Sequence, residues 1–295
     1  MQFMVNANRP PDSLKVRCRQ IADGDLDGLA DLFTRGFGAR RTRAFWRRVL
    51  ACLQARTVPP DVPRYGYLLE NDGAPVGAIL LIFTAGPDGA IRANVSSWYV
   101  DAAFRGYAQL LVSQALKLKT VTYLNVSAAP HTWPILPAQG YQRYSSGIFV
   151  ALPALARARE PGARLAAADR APDAPFAPFE QELLVRHAGY GCVSFWCATP
   201  ARAFPFVFRP RRIKRVIPCA QLVYCGDIAD VVRFAAPIGR YLARRGLPFV
   251  ILDANGPIAG LVGRYFGETM PKFFRGPVRP RLGDLADTET ALFGM

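Results

Sequence analysis

The chain has 295 residues, 51% of them hydrophobic, a length and composition that suit two domains with cores of their own. No apolar run reaches the roughly 18 to 20 residues that a membrane-spanning helix needs, and the first residues lack the basic start and apolar centre of a secretory signal. We therefore expect a cytoplasmic protein with no transmembrane segment. Its formal net charge of +15, carried almost entirely by arginine, would attract a polyanionic partner.

The cysteines and histidines disfavour a metal site or a disulfide framework. The six cysteines form no Cys-x-x-Cys pair, and His131 and His187 are the two histidines of the sequence. Zinc sites and disulfide frameworks need closer and more regular spacings. We expect no metal site, and we predict buried free thiols instead. The cysteines concerned are Cys18, Cys52, Cys192, Cys197, Cys219 and Cys225.

The first third of the chain alternates between strand and helix patterns. Residues 1–15 are polar and contain paired prolines, which predicts a flexible tail. Asn71-Asp72-Gly73 between two apolar runs indicates a hairpin. The other predicted elements are a strand over Val16–Ile21, a helix capped by Asp23 or Asp25 and ended by Gly36 and Gly38, a helix over Arg40–Gln54, and hairpin strands over Tyr65–Glu70 and Val76–Phe83.

The stretch from Ile91 to Tyr141 contains the strongest functional signal. Ile91 to Val100 alternates with a period of two, which predicts a strand. From Ala108 the apolar residues recur at helical spacing, so the strand ends close to the N-terminus of a helix. That arrangement directs unpaired N–H groups and the positive end of the helix dipole toward one place, where Arg105 adds a charge and Gly106 allows a strained backbone angle. A phosphate is the anion that such a turn favours.

The turn resembles the acyl-CoA motif of the GNAT acyltransferase family. The family motif is Arg/Gln-x-x-Gly-x-Gly/Ala, and the corresponding residues here are Arg105-Gly106-Tyr107-Ala108-Gln109-Leu110. Ala108 replaces the first glycine and Leu110 replaces the second small residue, so the pyrophosphate would approach less closely. A strand over Val121–Val126, a helix over His131–Gln139 and the Gly140-Tyr141 pair follow in the order that the family uses.

The resemblance implies a fold and an activity. It implies an α/β mixed sheet over residues 16–150, with acetyl-CoA or another acyl-CoA as co-substrate and an amine as acceptor. It also implies that the backbone of Trp98, Tyr99 and Val100 holds the acyl carbonyl and the pantetheine arm. The residues assigned to CoA binding are Trp98, Tyr99, Val100, Arg105, Gly106, Tyr107, Ala108, Gln109 and Leu110.

The general acid is the weakest part of the resemblance. Family members commonly place a tyrosine four residues before the Gly-Phe-type pair, and here that position is Leu136. Ser127, His131 and Tyr144 are the substitutes we consider, His131 to take the proton of the amine and Tyr144 to serve as acid. Each also has a structural interpretation: Ser127 as a helix cap, His131 as a surface histidine and Tyr144 as a core residue.

The second half repeats part of the pattern of the first. Residues 151–177 are rich in Ala, Pro, Arg and Asp and are interpreted as a linker. A strand over Ala220–Cys225, a helix from Ile228 to Leu242 and a strand over Phe249–Asp253 follow, which suggests that residues 178–295 form a degenerate second GNAT-like domain. Asp227 stands where an anion would bind, so this copy is not expected to bind CoA. From Gly256 onward, glycine, proline and aromatic residues suggest an irregular covering segment.

The densest basic run is Arg209 to Arg215, which we interpret as a loop between strands. It is the candidate surface for a polyanionic partner such as an acyl carrier protein or tRNA. Two alternatives to an acyl-CoA-dependent N-acyltransferase therefore stay open. One is a tandem-GNAT aminoacyl transferase that uses charged tRNA, and the other is a non-catalytic GNAT-like module that binds an anionic partner.

Overall fold

The computed structural model describes residues 15–38, 41–160, 162–213 and 216–294. The predicted tail, apart from Lys15, lies outside these residues, as do Lys214 and Arg215 of the basic run. The strands are β1 Val16–Gln20, β2 Gly66–Asn71, β3 Ala74–Ala85, β4 Ile91–Val100, β5 Thr122–Asn125, β6 Gln142–Ala151, β7 Arg164–Ala167, β8 Val193–Ala198, β9 Ala203–Ile213, β10 Ile217–Cys225, β11 Phe249–Ala254 and β12 Gly263–Arg275. The α-helices are α1 Leu26–Phe37, α2 Arg43–Gln54, α3 Ala108–Ala115, α4 Pro178–Gly189, α5 Ile228–Arg233, α6 Ala235–Ala243 and α7 Glu289–Phe293.

The described residues form two compact units. The first takes its residues from 1–57, 61–81 and 97–117, and the second from 58–60, 82–96 and 118–295. Strands β3 and β4 therefore contribute residues to both units. These limits differ from the domain boundaries expected from the sequence, 16–150 and 178–295. The expected boundaries describe two GNAT-like copies rather than compact units, and they stay a prediction.

The first unit confirms the predicted hairpin. Strands β2 and β3 pair antiparallel through Tyr67 and Ile79, and β1 pairs antiparallel with β2. Helix α1 ends at Phe37, and the next residue, Gly38, has a φ of 71°, in the left-handed region that favours glycine. Gly36 lies inside the helix, so the prediction that it also ends the helix was wrong. Helices α1 and α2 bury an aromatic contact between Phe33 and Trp46, whose ring centroids are 4.8 Å apart.

The second unit contains a mixed sheet with the strand order β4, β5, β12, β6, β11, β10, β9, β8, β7. Two of its pairs are parallel, β4 with β5 and β10 with β11, and the other described ladders of the unit are antiparallel. The predicted α/β mixed sheet is confirmed. Strands β10 and β11 are joined through helices, so the strand, helix, strand pattern predicted for the second half is also present. Phe195, Phe206 and Phe234 lie at the centre of its core.

The prediction for the segment after Gly256 was wrong. Strand β12 lies between β5 and β6, where Phe274 pairs with Leu124 and Gly263 pairs with Ala151. The register shifts between Gly267 and Lys272, and Glu268 and Met270 in that interval have positive φ. Such a bulge breaks the period-two pattern that would have identified a strand.

Four smaller predictions also need correction. The predicted linker contains β7, a short edge strand whose four residues give no detectable alternation. The predicted helix from Ile228 to Leu242 is divided at Phe234, since Pro237 has no N–H to bond the carbonyl of Arg233. The helix expected over His131–Gln139 consists of two 3₁₀ helices, Pro130–Ile135 and Pro137–Gln139, each beginning with a proline. The basic run is not a loop as far as it is described, because β9 continues to Ile213.

The cysteines are free thiols. Cys192, Cys197, Cys219 and Cys225 are buried as predicted, whereas Cys18 and Cys52 are half-buried. In the part of the chain that is described, no helix is both long enough and apolar enough to span a bilayer.

Candidate functional site

The turn before α3 is the first part of the candidate site, and it lies in the first unit. After Asp101 the chain makes a 3₁₀ helix over Ala102–Tyr107, and α3 begins at Ala108. Leu111, Val112 and Ala115 bury one face of α3 as the periodicity predicted. The strand therefore leads into the helix through a short 3₁₀ segment rather than directly.

The surface of this turn is open and positively charged. Arg105 and Gly106 are exposed, and among the described ion pairs none involves Arg105. A Cβ added to Gly106 would meet no atom within 4 Å. Gly106 does not have the positive φ that the sequence suggested, so the expectation of a strained angle was wrong. What the glycine supplies is space beside the helix terminus, which fits a close approach by a phosphate.

The end of β4 supplies the adjoining groups of the first unit. Trp98 and Tyr99 are half-buried, and Val100 is buried. The indole Nε1 of Trp98 is buried and has no hydrogen-bond acceptor among the described residues. Burial raises the pKa of Tyr99, and a hydrogen bond to Asp101 adds to the shift. Gly36 packs directly on the Tyr99 ring, because a Cβ at Gly36 would lie 2.4 Å from the ring carbon Cγ.

The proposed acid and base residues lie in the second unit, in different environments. His131 is exposed in the 3₁₀ helix over Pro130–Ile135. Tyr144 is buried on β6 with its ring edge against Phe274, and its hydroxyl has no hydrogen-bond partner among the described residues. Burial raises the pKa of Tyr144 well above 10. Leu136, at the usual tyrosine position, is buried. Tyr144 therefore has the environment of a core residue.

Ser127 belongs to a polar cluster that the sequence did not reveal. Its hydroxyl donates to Glu289 Oε1, and the hydroxyl of Ser96 donates to Glu289 Oε2 at 2.5 Å. The backbone N–H of Glu289 donates to Asn94 Oδ1 at 2.7 Å. Ser127 is thus not a helix cap. The one feature of the sequence that indicated this cluster was the pair of polar residues Asn94 and Ser96 on one face of a predicted strand. Polar side chains on a buried face need hydrogen-bond partners.

The segment that carries Glu289 is anchored by charged and polar contacts. Arg92 binds Asp284 with two hydrogen bonds of 2.9 and 3.2 Å and donates to the carbonyl of Ala286 at 2.7 Å. Burial alone would raise the pKa of Asp284, but the charge of Arg92 lowers it below its ordinary value. His187 Nε2 accepts the backbone N–H of Asp287 at 3.0 Å, which confirms a structural role for this histidine.

A cavity of about 680 Å³ lies elsewhere in the second unit. Arg92, Arg186, Arg279, Asp284 and Phe179 contribute to its lining. None of the residues assigned to CoA binding or catalysis lines this cavity. The residues predicted from the sequence therefore do not converge on it.

Comparison with known proteins identifies the fold. No family model matches the sequence, and no curated protein matches it. Among solved structures, a GCN5-related N-acetyltransferase from Kribbella flavida aligns with a TM-score of 0.56 at 16% identity, covering 90% of this chain and 72% of that one. One from Anabaena variabilis aligns with a TM-score of 0.54 at 10% identity, covering 88% and 72%.

The chain has the GCN5-related N-acetyltransferase fold. A Pyrococcus horikoshii protein whose name gives acetyltransferase as its suggested activity aligns over 97% of this chain and 96% of its own, with a TM-score of 0.53 and 11% identity. The likeness to GCN5-related N-acetyltransferases therefore extends over both halves of the chain. At these identities it concerns the fold, and it confirms the fold that the sequence resemblance implied.

Proposed function

We propose that this chain is an acyl-CoA-dependent N-acyltransferase that moves an acetyl or other acyl group from CoA to an amine. The observation that carries the proposal is the open turn before α3, where Arg105 has no described ion pair and Gly106 leaves free space. The fold adds support, because similar structures are named N-acetyltransferases. In this proposal the N-terminal N–H groups of α3 and the Arg105 guanidinium bind the phosphates.

The end of β4 has groups suited to the rest of acyl-CoA. The backbone of Trp98 to Val100 would hold the acyl carbonyl and the pantetheine arm, as the family resemblance implies. The buried, unpartnered indole N–H of Trp98 supports this assignment, because a bound ligand would supply the missing acceptor. Acyl-CoA contributes an activated thioester carbonyl, and these residues orient it.

The second half is not proposed to bind CoA. At the start of α5 the carboxylate of Asp227 accepts the N–H of Ala229 at 2.8 Å. The helix terminus that corresponds to the start of α3 therefore already has an anionic partner of its own. This supports the interpretation of residues 178–295 as a degenerate copy.

A tRNA or acyl carrier protein as partner remains a prediction with little support from the described basic run. Arg209 donates to the carbonyls of Tyr190 and Ala291, and Arg211 donates to Gln221. These two guanidinium groups are used in contacts within the fold. An amine acceptor is therefore the partner that we propose, and its identity is left to experiment.

The test is a titration with acetyl-CoA and longer acyl-CoAs of the wild type, Ala108→Asp and Ala108→Asn. The negative charge of an aspartate at the first position of α3 interacts favourably with the helix dipole, so the variant should fold. The same charge should repel the phosphates of CoA. We expect at least a tenfold loss of affinity for Ala108→Asp, about 1.4 kcal/mol. The neutral Ala108→Asn variant has a side chain of nearly the same size and should lose much less. Failure of the wild type to bind any acyl-CoA would refute the proposed function.

A further inference from the structure

The cavity of about 680 Å³ has the size of a site for a small organic molecule. Every described residue that lines it belongs to the second unit, so the cavity lies within one compact unit of the chain. Its walls include the turn between β3 and β4, helix α4, strand β10 and the segment 278–287. No step of the proposed acyl transfer uses it.

We propose that this cavity binds a small organic anion, a molecule with a carboxylate or phosphate head group and an apolar body. The proposal is independent of the proposed acyl transfer and assigns a ligand to a place outside the turn before α3. Two observations carry it. The cavity has more guanidinium groups than carboxylates around Asp284, and its lining includes large apolar side chains that are exposed to solvent.

The carboxylate of Asp284 is shared by two arginines that line the cavity. Arg92 donates to its two oxygens at 2.9 and 3.2 Å. Nη2 of Arg281 lies 3.8 Å from Oδ2, the oxygen that already accepts the shorter of these bonds. Burial would raise the pKa of Asp284, but the charges of Arg92 and Arg281 lower it, so the carboxyl group is ionised. One negative charge therefore faces two positive charges.

Arg279 adds a third guanidinium group to the lining of the same cavity. It is exposed, and no ion pair or hydrogen bond of its side chain occurs among the described residues. Its guanidinium carbon lies 5.9 Å from the centre of the Phe274 ring, which helps to hold it in place. A carboxylate or a phosphate would balance the excess charge, because guanidinium donors match pairs of such oxygens.

The other charged groups of the lining have partners. Arg186 on α4 binds Asp287 with two hydrogen bonds of 3.1 and 2.9 Å. Glu182, one turn before Arg186, acts on the same guanidinium group. The carboxylate of Asp88 accepts the N–H of Ala90 at 3.1 Å in the turn after β3. The excess of positive charge therefore stays with the three arginines described above.

The apolar part of the lining fits a ligand that is larger than an inorganic ion. Phe179 on α4 is 36% exposed and Val278 is 51% exposed, and an apolar body would remove both from water. Tyr224 contributes a buried ring, and burial raises its pKa to about 12, so its hydroxyl stays protonated. The guanidinium carbon of Arg281 lies 4.9 Å from the centre of that ring. Cationic and aromatic groups thus meet in the lining of the cavity.

The test is calorimetric titration of the full chain with 4-phenylbutyrate and phenyl phosphate. The neutral amide 4-phenylbutyramide, of nearly the same shape as the carboxylate, is the control ligand. We expect saturable binding of at least one anion and at least about tenfold weaker binding of the amide. The affinity for the anion should fall when NaCl is raised from about 0.05 M to about 0.5 M. The preferred anion tells a carboxylate ligand from a phosphate ligand.

Matched variants test the two parts of the site. Arg279→Gln should weaken anion binding by at least about tenfold, whereas Arg244→Gln, at an exposed arginine that does not line the cavity, should stay within about twofold of wild type. Phe179→Ala should lose at least about fivefold, whereas Val185→Ala, at another exposed apolar position of α4, should not. All four positions are exposed, so the variants should fold, which thermal unfolding checks.

The remaining outcomes would overturn the assignment. Absence of saturable binding of both anions, equal binding of the neutral amide, or unchanged affinity in Arg279→Gln would each do so. Equal losses in Arg279→Gln and Arg244→Gln would point to the general surface charge instead. Arg279→Gln should bind acetyl-CoA as the wild type does, and a loss there would show that the cavity has no ligand of its own. Failure of the wild type to bind any acyl-CoA would refute the acyltransferase proposal alone.

Discussion

His187 should make the stability of the protein depend on pH between about 5.5 and 7.5. Its Nδ1–H donates to the carbonyl of Leu183 at 2.8 Å, and its Nε2 accepts the N–H of Asp287 at 3.0 Å. The buried ring is therefore neutral, and burial lowers its pKa below the ordinary value of 6.5. Protonation of Nε2 would replace the acceptor of the Asp287 N–H with a second donor.

The sign and size of the effect follow from proton linkage. Below pH 6.5 the unfolded chain binds a proton at this histidine that the folded chain does not, so the free energy of unfolding falls as the pH falls. One pH unit below the unfolded pKa, at pH 5.5, the loss is at most about 1.4 kcal/mol relative to neutral pH. Above pH 7.5 this histidine should no longer make the free energy of unfolding change with pH.

Urea unfolding of wild type, His187→Gln and His131→Gln at pH 5.5, 6.5 and 7.5 measures this contribution. Glutamine can accept a hydrogen bond from the Asp287 N–H but does not titrate. The free energy of unfolding of His187→Gln should therefore lack the pH dependence due to His187. The His131→Gln variant, changed at an exposed position, should keep it. Carboxylates that titrate in the same range affect all three proteins alike. The reasoning is refuted if wild type and His187→Gln lose equal stability between pH 7.5 and 5.5.

Two glycines give sharper tests of packing. A Cβ at Gly239 would lie 2.0 Å from the backbone nitrogen of Ala154, so Gly239→Ala should cost roughly 3 kcal/mol despite a helix-propensity gain of about 1 kcal/mol. In thermal unfolding, the matched variant Gly189→Ala, in α4 with no atom within 4 Å of the added carbon, should be neutral or stabilising; equal effects of the two would contradict the packing argument. Gly36→Ala should displace the Tyr99 ring and weaken acyl-CoA binding at least several-fold, and unchanged affinity in the same titration would remove Tyr99 from the candidate site.

The parts of the structure that could be predicted from the sequence are those set by local periodicity. The alternation from Ile91 to Val100 predicted β4, and the apolar spacing after Ala108 predicted α3. Both predictions were possible because each pattern is local and is complete within ten residues. The position of the turn between them was predicted correctly, but its backbone conformation was not. A 3₁₀ segment has no residue pattern of its own that would identify it.

The elements that depend on distant residues could not be predicted. Strand β12 has a bulge that conceals its alternation, and nothing in its composition indicates that it pairs with β5. The contact between Ser127 and Glu289 joins a loop to a helix far along the chain, and no spacing rule links them. Tyr144 was predicted with both a catalytic and a core interpretation, and burial of its hydroxyl, a property of the packed sheet, favours the second.

The position of β12 between β5 and β6 determines which fragments of the protein could fold alone. Neighbouring strands lie about 4.8 Å apart, so removal of β12 would leave β5 and β6 roughly 10 Å apart, too far for backbone hydrogen bonds. A fragment that ends at residue 150 would retain both strands but would expose the edge of each to solvent and to other chains. The half that we predicted to be catalytic, residues 16–150, is therefore not expected to fold when it is expressed alone, and a split or fused version of the protein needs to keep residues 263–275 with it.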